Sequence, residues 1–259
     1  MELGIVQGRI LKSPLGHQTT HKDWQKEFDI AKQIGIRHIE WNIDFTKNED
    51  NPIFHDDLGY YVNNISSVCF DTAVTLKVFE EEYFLKNIIE PSQILFKKGI
   101  RNITIPLLEE SEINTDKKLK KAIANINNLK KFIPEMDVNL EMDCSIGYTK
   151  KIIENTKCFL TYDTGNLTYK KIDHILYIDN FISKITNVHL KDRSILTGES
   201  LSDFSGDTPF RMIIKTLLEK KYKNLYTLQM ARNINVSDEE LIKTYIKKFR
   251  RMYGEFIQP

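Results

Sequence analysis

The sequence is poor in cysteine, nearly free of net charge and without a long apolar run. Its 3 cysteines, Cys69, Cys144 and Cys158, are odd in number and widely spaced, so neither a disulfide framework nor a paired zinc-cysteine pattern is available. Cys69 and Cys158 fall in apolar strand candidates and read as buried, reduced structural thiols. The 37 Lys and Arg against 36 Asp and Glu leave a formal charge of +1, which excludes a global field that attracts nucleic acid or an anionic membrane. Recognition of an anion must therefore be local. No stretch approaches the roughly 18 apolar residues needed to span a bilayer, and the opening MELGIVQGRI lacks the basic start and apolar core of a signal peptide. The expectation is a cytoplasmic protein with neither nucleic acid nor membrane as partner.

What the chain does contain is enough for a large core: 41% hydrophobic residues, with 14 Phe and 11 Tyr among the aromatics. The 259 residues suit one large domain, residues 1–259, because α/β barrels commonly need about 250. Short β-like runs recur at Leu3–Gln7, His38–Ile43, Ser67–Phe70, Asn102–Pro106, Val138–Met142, Phe159–Tyr162, Asn187–Leu190 and Leu225–Leu228. Between them lie segments with helical spacing of apolar residues: Lys22–Ile34, Leu85–Lys98, Asp116–Phe132, His174–Ser183, Phe210–Lys220 and Asp238–Tyr253. Strand alternating with helix predicts parallel strands joined by crossovers, and the number of strand runs favours a closed (β/α)8 TIM barrel over an open sheet. The helices after the second and fifth strands carry a weaker pattern. Gly4, Gly35 and Gly99 are expected at helix ends or strand starts, where a left-handed backbone costs glycine little.

Active sites of such barrels are built at the C-terminal ends of the strands. Four candidate strands end in groups able to ligate a cation: Leu-Glu141-Met-Asp143, Tyr-Asp163-Thr-Gly165-Asn166, Val-His189-Leu-Lys191-Asp192-Arg193 and Leu-Gln229-Met-Ala-Arg232. Two carboxylates, an imidazole and an amide oxygen suit Mn2+ best, with Mg2+, Co2+ and Zn2+ also compatible. A lone strand histidine is more often a satisfied core residue than a ligand, so the set of four carries the inference rather than any one member.

These motifs, together with Gly-Ile-Val-Gln7-Gly8-Arg9, Ile-Glu40-Trp41 and Asn51-Pro52, resemble the sugar-phosphate isomerase/epimerase family of the xylose-isomerase-like barrel superfamily. The resemblance covers nearly the whole chain. It implies that strands five to eight supply the metal ligands, which map onto Glu141, Asp163, His189 and Gln229. Characterised epimerases of the superfamily have a glutamate as the last ligand; Gln229 is a neutral amide that can ligate through oxygen but cannot exchange a proton.

Epimerisation through an enediolate benefits from a base on each face of the reacting carbon, whereas aldose-ketose isomerisation can move a proton along one face with a single carboxylate. Glu141 is thus the main expected acid/base, with Lys191, Asp143 or Asp192 as a replacement second group, and isomerisation is slightly favoured. Gln7, Arg9, Glu40, Asn166, Arg193 and Arg232 are expected to bind substrate. Arg9, Arg193 and Arg232 follow neighbouring strands and offer planar forks that match phosphate oxygens; the rival reading pairs Arg193 or Arg232 with Asp192 or Glu141. Glu40 either meets a substrate hydroxyl or orients a cationic neighbour. His38, His17 and His21 read as structural or as loop residues without a role, and residues 198–210 have the composition of an irregular loop over the mouth.

The expected function is a divalent-metal-dependent isomerase or epimerase of a small sugar or sugar phosphate, with a homo-oligomer as an open arrangement. The alternatives are a barrel that binds a sugar without turning it over, and a related lyase or dehydratase using the same metal and base. A repair endonuclease on the same fold would need more strand-end ligands and a more basic face.

Overall fold

Along the strand runs, polar and apolar residues alternate, which gives each strand one aliphatic and one polar face. In the computed structural model, which describes residues 2–11, 20–44, 50–202, 204–233 and 235–256, the runs become β1 (Glu2–Val6), β2 (His38–Ile43), β3 (Ile65–Phe70), β4 (Asn102–Leu107), β5 (Asp137–Met142), β6 (Phe159–Asp163), β7 (Ile185–Leu190) and β8 (Leu225–Leu228). Each pairs in parallel with its neighbours and β8 returns to β1, so the sheet closes. The protein is a (β/α)8 TIM barrel. Expected and observed strand ends agree to within two residues throughout.

The outward faces are apolar: Leu140 and Met142 of β5, Leu160 and Tyr162 of β6, Val188 and Leu190 of β7 are all buried in one continuous core beneath the helices. Those helices are α1 (Trp24–Gln33), α2 (Pro52–His55), α3 (Glu81–Phe84), α4 (Glu90–Lys97), α5 (Asp116–Phe132), α6 (Ile146–Thr156), α7 (Thr164–Tyr169), α8 (His174–Phe181), α9 (Phe210–Glu219) and α10 (Asp238–Glu255). In α1 the buried stripe is Trp24, Phe28 and Ala31, and the Trp24 ring meets Trp41 of β2 edge-on at 5.1 Å. The weakly patterned helix after β5 is α6, started by Ser145, whose hydroxyl accepts from the Tyr148 amide. Its buried stripe is Thr149, Ile152, Ile153 and Thr156; half of it is threonine, which is why hydrophobic periodicity marks it poorly. After β2 the chain forms only the short α2, capped by Asn51, which also accepts from the Trp41 indole at 3.0 Å and donates to the Asn42 carbonyl at 3.0 Å. The Asn51-Pro52 pair thereby clamps the end of β2.

Gly35 (φ +81°) and Gly99 (φ +95°) do stop helices in the left-handed region. Gly4 does not: it lies inside β1, and a Cβ there would come within 2.0 Å of the His38 ring. Its role is close approach, not a helix stop. His38 itself is buried at the N-terminal end of β2 rather than on the surface.

The inward faces are unusually polar. A barrel of this type normally fills its interior with branched aliphatic layers, whereas here Ser67, Thr104, Asn139, Thr161 and Asn187 line a cavity of about 420 Å³ at the N-terminal end. Thr227 donates to Asn187 at 2.8 Å within the same interior. Among the described residues, no helix is long and apolar enough to cross a membrane.

Candidate active site

Strand alternation carries the polar interior upward. Two residues beyond Asn139, Thr161, Asn187 and Thr227 stand Glu141, Asp163, His189 and Gln229, on the same faces at the C-terminal mouth. Glu141, Asp163 and His189 are all buried, and each offers a ligand atom within 4.8 Å of the others. Such a cluster is able to hold a divalent ion. The donor set also fits one: Asp163 Oδ2, His189 Nδ1 and Gln229 Oε1 are buried without a hydrogen-bond partner among the described residues, a costly state that a cation relieves.

Neighbours fix each of these side chains. Asp163 Oδ1 caps α7 by accepting from the Asn166 amide at 2.7 Å, which leaves Oδ2 turned to the cluster. Asn166 donates to Glu141 Oε1 at 3.0 Å. Behind them, buried His174 bridges the Tyr162 hydroxyl (2.6 Å) and Thr168 (3.0 Å), locking β6 to α7. Gly165 has no room for a side chain, since a Cβ would lie 2.9 Å from the Lys191 carbonyl.

Glu40 lies under the cluster. Its Oε2 is 2.6 Å from His189 Nε2, while Oε1 accepts from Ser67 at 2.5 Å and Thr104 at 3.0 Å. Glu40 thus contacts His189, and it also contributes to the lining of the cavity above. His189 Nε2 is thus engaged below, and Nδ1 is the nitrogen on the side of Glu141, 3.6 Å from its Oε2. A carboxylate behind an imidazole holds its tautomer and raises its basicity as a ligand.

Electrostatics follow from crowding. Burial drives the Glu141 carboxyl up to about 8, with Asp163 adding to the rise and His189 opposing it. Burial presses the His189 imidazolium down, but Glu40, then Glu141 and Asp163, outweigh it and lift its pKa to about 9. Glu40 is held below the usual carboxylate range: burial raises it, and His189, Ser67 and Thr104 together more than offset that.

Above the cluster is a cavity of about 270 Å³. Glu141, His189, Lys191 and Gln229 form one wall of its lining, and Asn42, Cys69, Asp71 and Glu109 contribute from other strands. Asp71 was not singled out by the sequence, although it continues the inward alternation Ser67, Cys69, Asp71 one step past β3. Lys191 Nζ lies 3.6 Å from Asp163 Oδ2 and 3.3 Å from Asn166 Oδ1.

No family model matches the chain. A curated relative, an inosose dehydratase from Clostridium tetani, is 26% identical over 199 residues, 61% of this chain. The chain spans just under two thirds, 66%, of the length of that relative. An L-ribulose 3-epimerase superposes with a TM-score of 0.72 at 16% identity, covering 99% of this chain and 96% of the other. A xylose isomerase domain protein from Alicyclobacillus acidocaldarius superposes with a TM-score of 0.72 at 14% identity, over 98% of each chain. The chain shares the barrel fold of these solved structures.

Within this barrel, the residues expected to bind substrate sit at different depths. Gln7 is buried at the end of β1, where its carbonyl accepts from the Asn42 amide (3.1 Å) and from Thr20 (2.9 Å). Arg193 donates to the Gly198 carbonyl at 2.7 Å and to Asn166 at 2.9 Å, and its guanidinium lies 4.6 Å over the Tyr169 ring. Arg232 is bound to Asp238 and to the Gly8 carbonyl. Neither arginine pairs with Asp192 or Glu141 as the rival reading had it. Arg9 is buried, and burial followed by the Arg232 cation lowers its pKa to about 9. The segment after β7 is built rather than irregular at its start: Ser200–Leu201 pairs antiparallel with Asp192–Arg193, and buried Asp192 accepts from the Gly206 amide at 2.7 Å. Of the two loop histidines, His21 accepts from the Asp23 amide at 3.0 Å, and His17 lies outside the described residues.

Proposed function

We propose that this protein is a divalent-metal-dependent isomerase or epimerase of a small sugar or sugar phosphate, acting through an enediolate with Glu141 as the main acid/base. The observation that carries the reading is the buried Glu141, Asp163 and His189 cluster opening into a cavity at the barrel mouth. An ion held by Glu141, Asp163, His189 and Gln229, Mn2+ in first place, would polarise the substrate carbonyl and acidify the neighbouring C–H. Glu141 takes that proton on the oxygen not bound by Asn166 and can also return it. Lys191 serves as the second group, moving a proton to or from the substrate oxygens. Gln229 cannot act as a second base, which favours proton transfer along one face and hence isomerisation.

One comparison favours a second reading. The inosose dehydratase relative suggests loss of water next to the carbonyl, begun by the same proton abstraction at Glu141. Product analysis by NMR in D2O, using Mn2+-loaded protein with ketoses, their phosphate esters and a keto-cyclitol, separates the two. Isomerisation gives an aldose with deuterium at the shuttled position, and dehydration gives an unsaturated ketone or its tautomer. Glu141→Gln must abolish either activity with the fold intact; turnover retained in that variant refutes the assignment. A wild type inert towards all three substrate classes while binding them leaves the non-catalytic sugar-binding barrel.

A further inference from the structure

We infer that the N-terminal end of the barrel holds a second ligand site, separate from the mouth, that takes a small uncharged polyol. The inference is independent of the reaction assigned to Glu141.

Size and composition are the first ground. The cavity at that end measures about 420 Å³, within the range of small-molecule sites and far beyond the ~30 Å³ share of a single water. Its floor lies deep in the barrel: Thr104 and Thr161 are 1% exposed and Asn187 is 5% exposed. Leu225 is the one apolar residue among its described lining residues, so an apolar ligand finds no matching surface. Glu2 and Lys223 are the only charged residues of that lining. Both are exposed and they are opposite in sign, so the wall offers an ion no net charge to bind.

The second ground is the hydrogen bonding of the floor. Asn187 Oδ1 is taken by the Thr227 hydroxyl at 2.8 Å, whereas Asn187 Nδ2 is buried without a partner among the described residues. The buried Thr161 hydroxyl is in the same state. Thr161 and Asn187 are direct neighbours in the register of β6 and β7, so one small ligand can serve both unmet groups. Across the cavity floor, Ser67 and Thr104 direct their protons to Glu40 Oε1 at 2.5 Å and 3.0 Å and retain oxygen lone pairs for a ligand.

Unmet donors thus share one cavity with unused acceptors. A bound anion would satisfy only the donors and a bound cation only the acceptors, but a hydroxyl donates and accepts at once. A buried amide left unpaired is costly, and a polyol that pairs it while displacing loosely held water gains affinity.

Erythritol is the probe for the test, because it carries a hydroxyl on every carbon and no carbonyl, and so cannot enter enediolate chemistry. Heteronuclear NMR of isotopically labelled, Mg2+-loaded protein follows the side-chain amides of Asn187 in this cavity and of Asn166 at the mouth during titration. A saturable shift of the Asn187 amide is expected, with Asn166 unmoved. Thr161→Val removes the hydroxyl at nearly constant shape and is expected to weaken binding about three- to ten-fold, the loss of one hydrogen bond. Asn102→Phe narrows the cavity from the start of β4, covers misfolding of the first variant, and is expected to weaken binding at least as much. Inorganic phosphate is expected to leave the Asn187 amide where it is. An Asn187 amide unmoved by erythritol means a cavity filled by water only and overturns the inference. Movement at Asn166 alone, phosphate bound more tightly than erythritol, or an affinity unchanged in both variants overturns it equally.

Discussion

Replacing Glu40 by glutamine keeps the side chain's shape and exchanges one oxygen for an NH2 at a point where both ends are committed. In the wild type, Oε1 accepts from Ser67 and Thr104 while Oε2 faces His189 Nε2 at 2.6 Å. In the neutral, metal-ligating form of the ring this carboxylate holds the proton on Nε2 and leaves the Nδ1 lone pair on the side of Glu141. If the new amide keeps its carbonyl on the two hydroxyls, its NH2 donates to Nε2 and forces the ring proton onto Nδ1, the ligating atom. If it turns round, Ser67 and Thr104 must both reverse, and the negative charge that raises imidazole basicity is gone. Loss of such an outer carboxylate typically costs about 10- to 100-fold in metal affinity, or roughly 1.4 to 2.8 kcal/mol. Mn2+ titration followed by electron paramagnetic resonance reads this directly, on protein whose circular dichroism matches wild type. Wild-type Mn2+ affinity in Glu40→Gln would refute the argument that Glu40 sets the tautomer of a metal-binding histidine.

Three further outcomes are expected. Gly165→Ala places a methyl 2.9 Å from the Lys191 carbonyl and from the Lys191 and Arg193 side chains, so metal-free protein should lose roughly 1–3 kcal/mol in urea unfolding; an unchanged midpoint contradicts the close approach. Burial presses the His174 pKa from 6.5 down to about 4, so its contribution is present above pH 6.5 and is lost as pH falls towards 4. The stability gap between wild type and His174→Gln should accordingly narrow by up to about 1.4 kcal/mol per pH unit over that window, and a gap that does not change with pH removes the case for a neutral buried imidazole. Gln229→Glu adds a charge where Gln229 Oε1 has no hydrogen-bond partner among the described residues. It should destabilise the metal-free protein and tighten Mn2+ binding on the order of ten-fold; unchanged affinity means that residue 229 does not face the ion.

Much of the site was legible because strand alternation is local. Glu141, Asp163 and His189 each stand at or one residue before the end of a strand, and their outward neighbours Leu140, Tyr162 and Val188 are core residues. The same alternation, carried two residues backward to Asn139, Thr161 and Asn187, could have revealed the polar interior, and carried forward from Ser67 and Cys69 it could have found Asp71. Helix α6 was only weakly marked because threonine supplies half of its buried stripe. The partners of the arginines were not legible at all, since Arg232 meets the Gly8 carbonyl from the opposite end of the chain.

The sequence by itself determined the barrel, the order of its strands and the residue types at their ends, because hydrophobic periodicity and strand-end chemistry act over a few neighbouring residues. Only the tertiary structure decided how those groups face one another. It put Glu40 beneath His189, bound Arg193 and Arg232 to protein partners, and set Asp71 on a wall of the cavity away from Glu141. These relations join strands far apart in the chain, and closure of the barrel alone brings them within hydrogen-bonding or electrostatic reach.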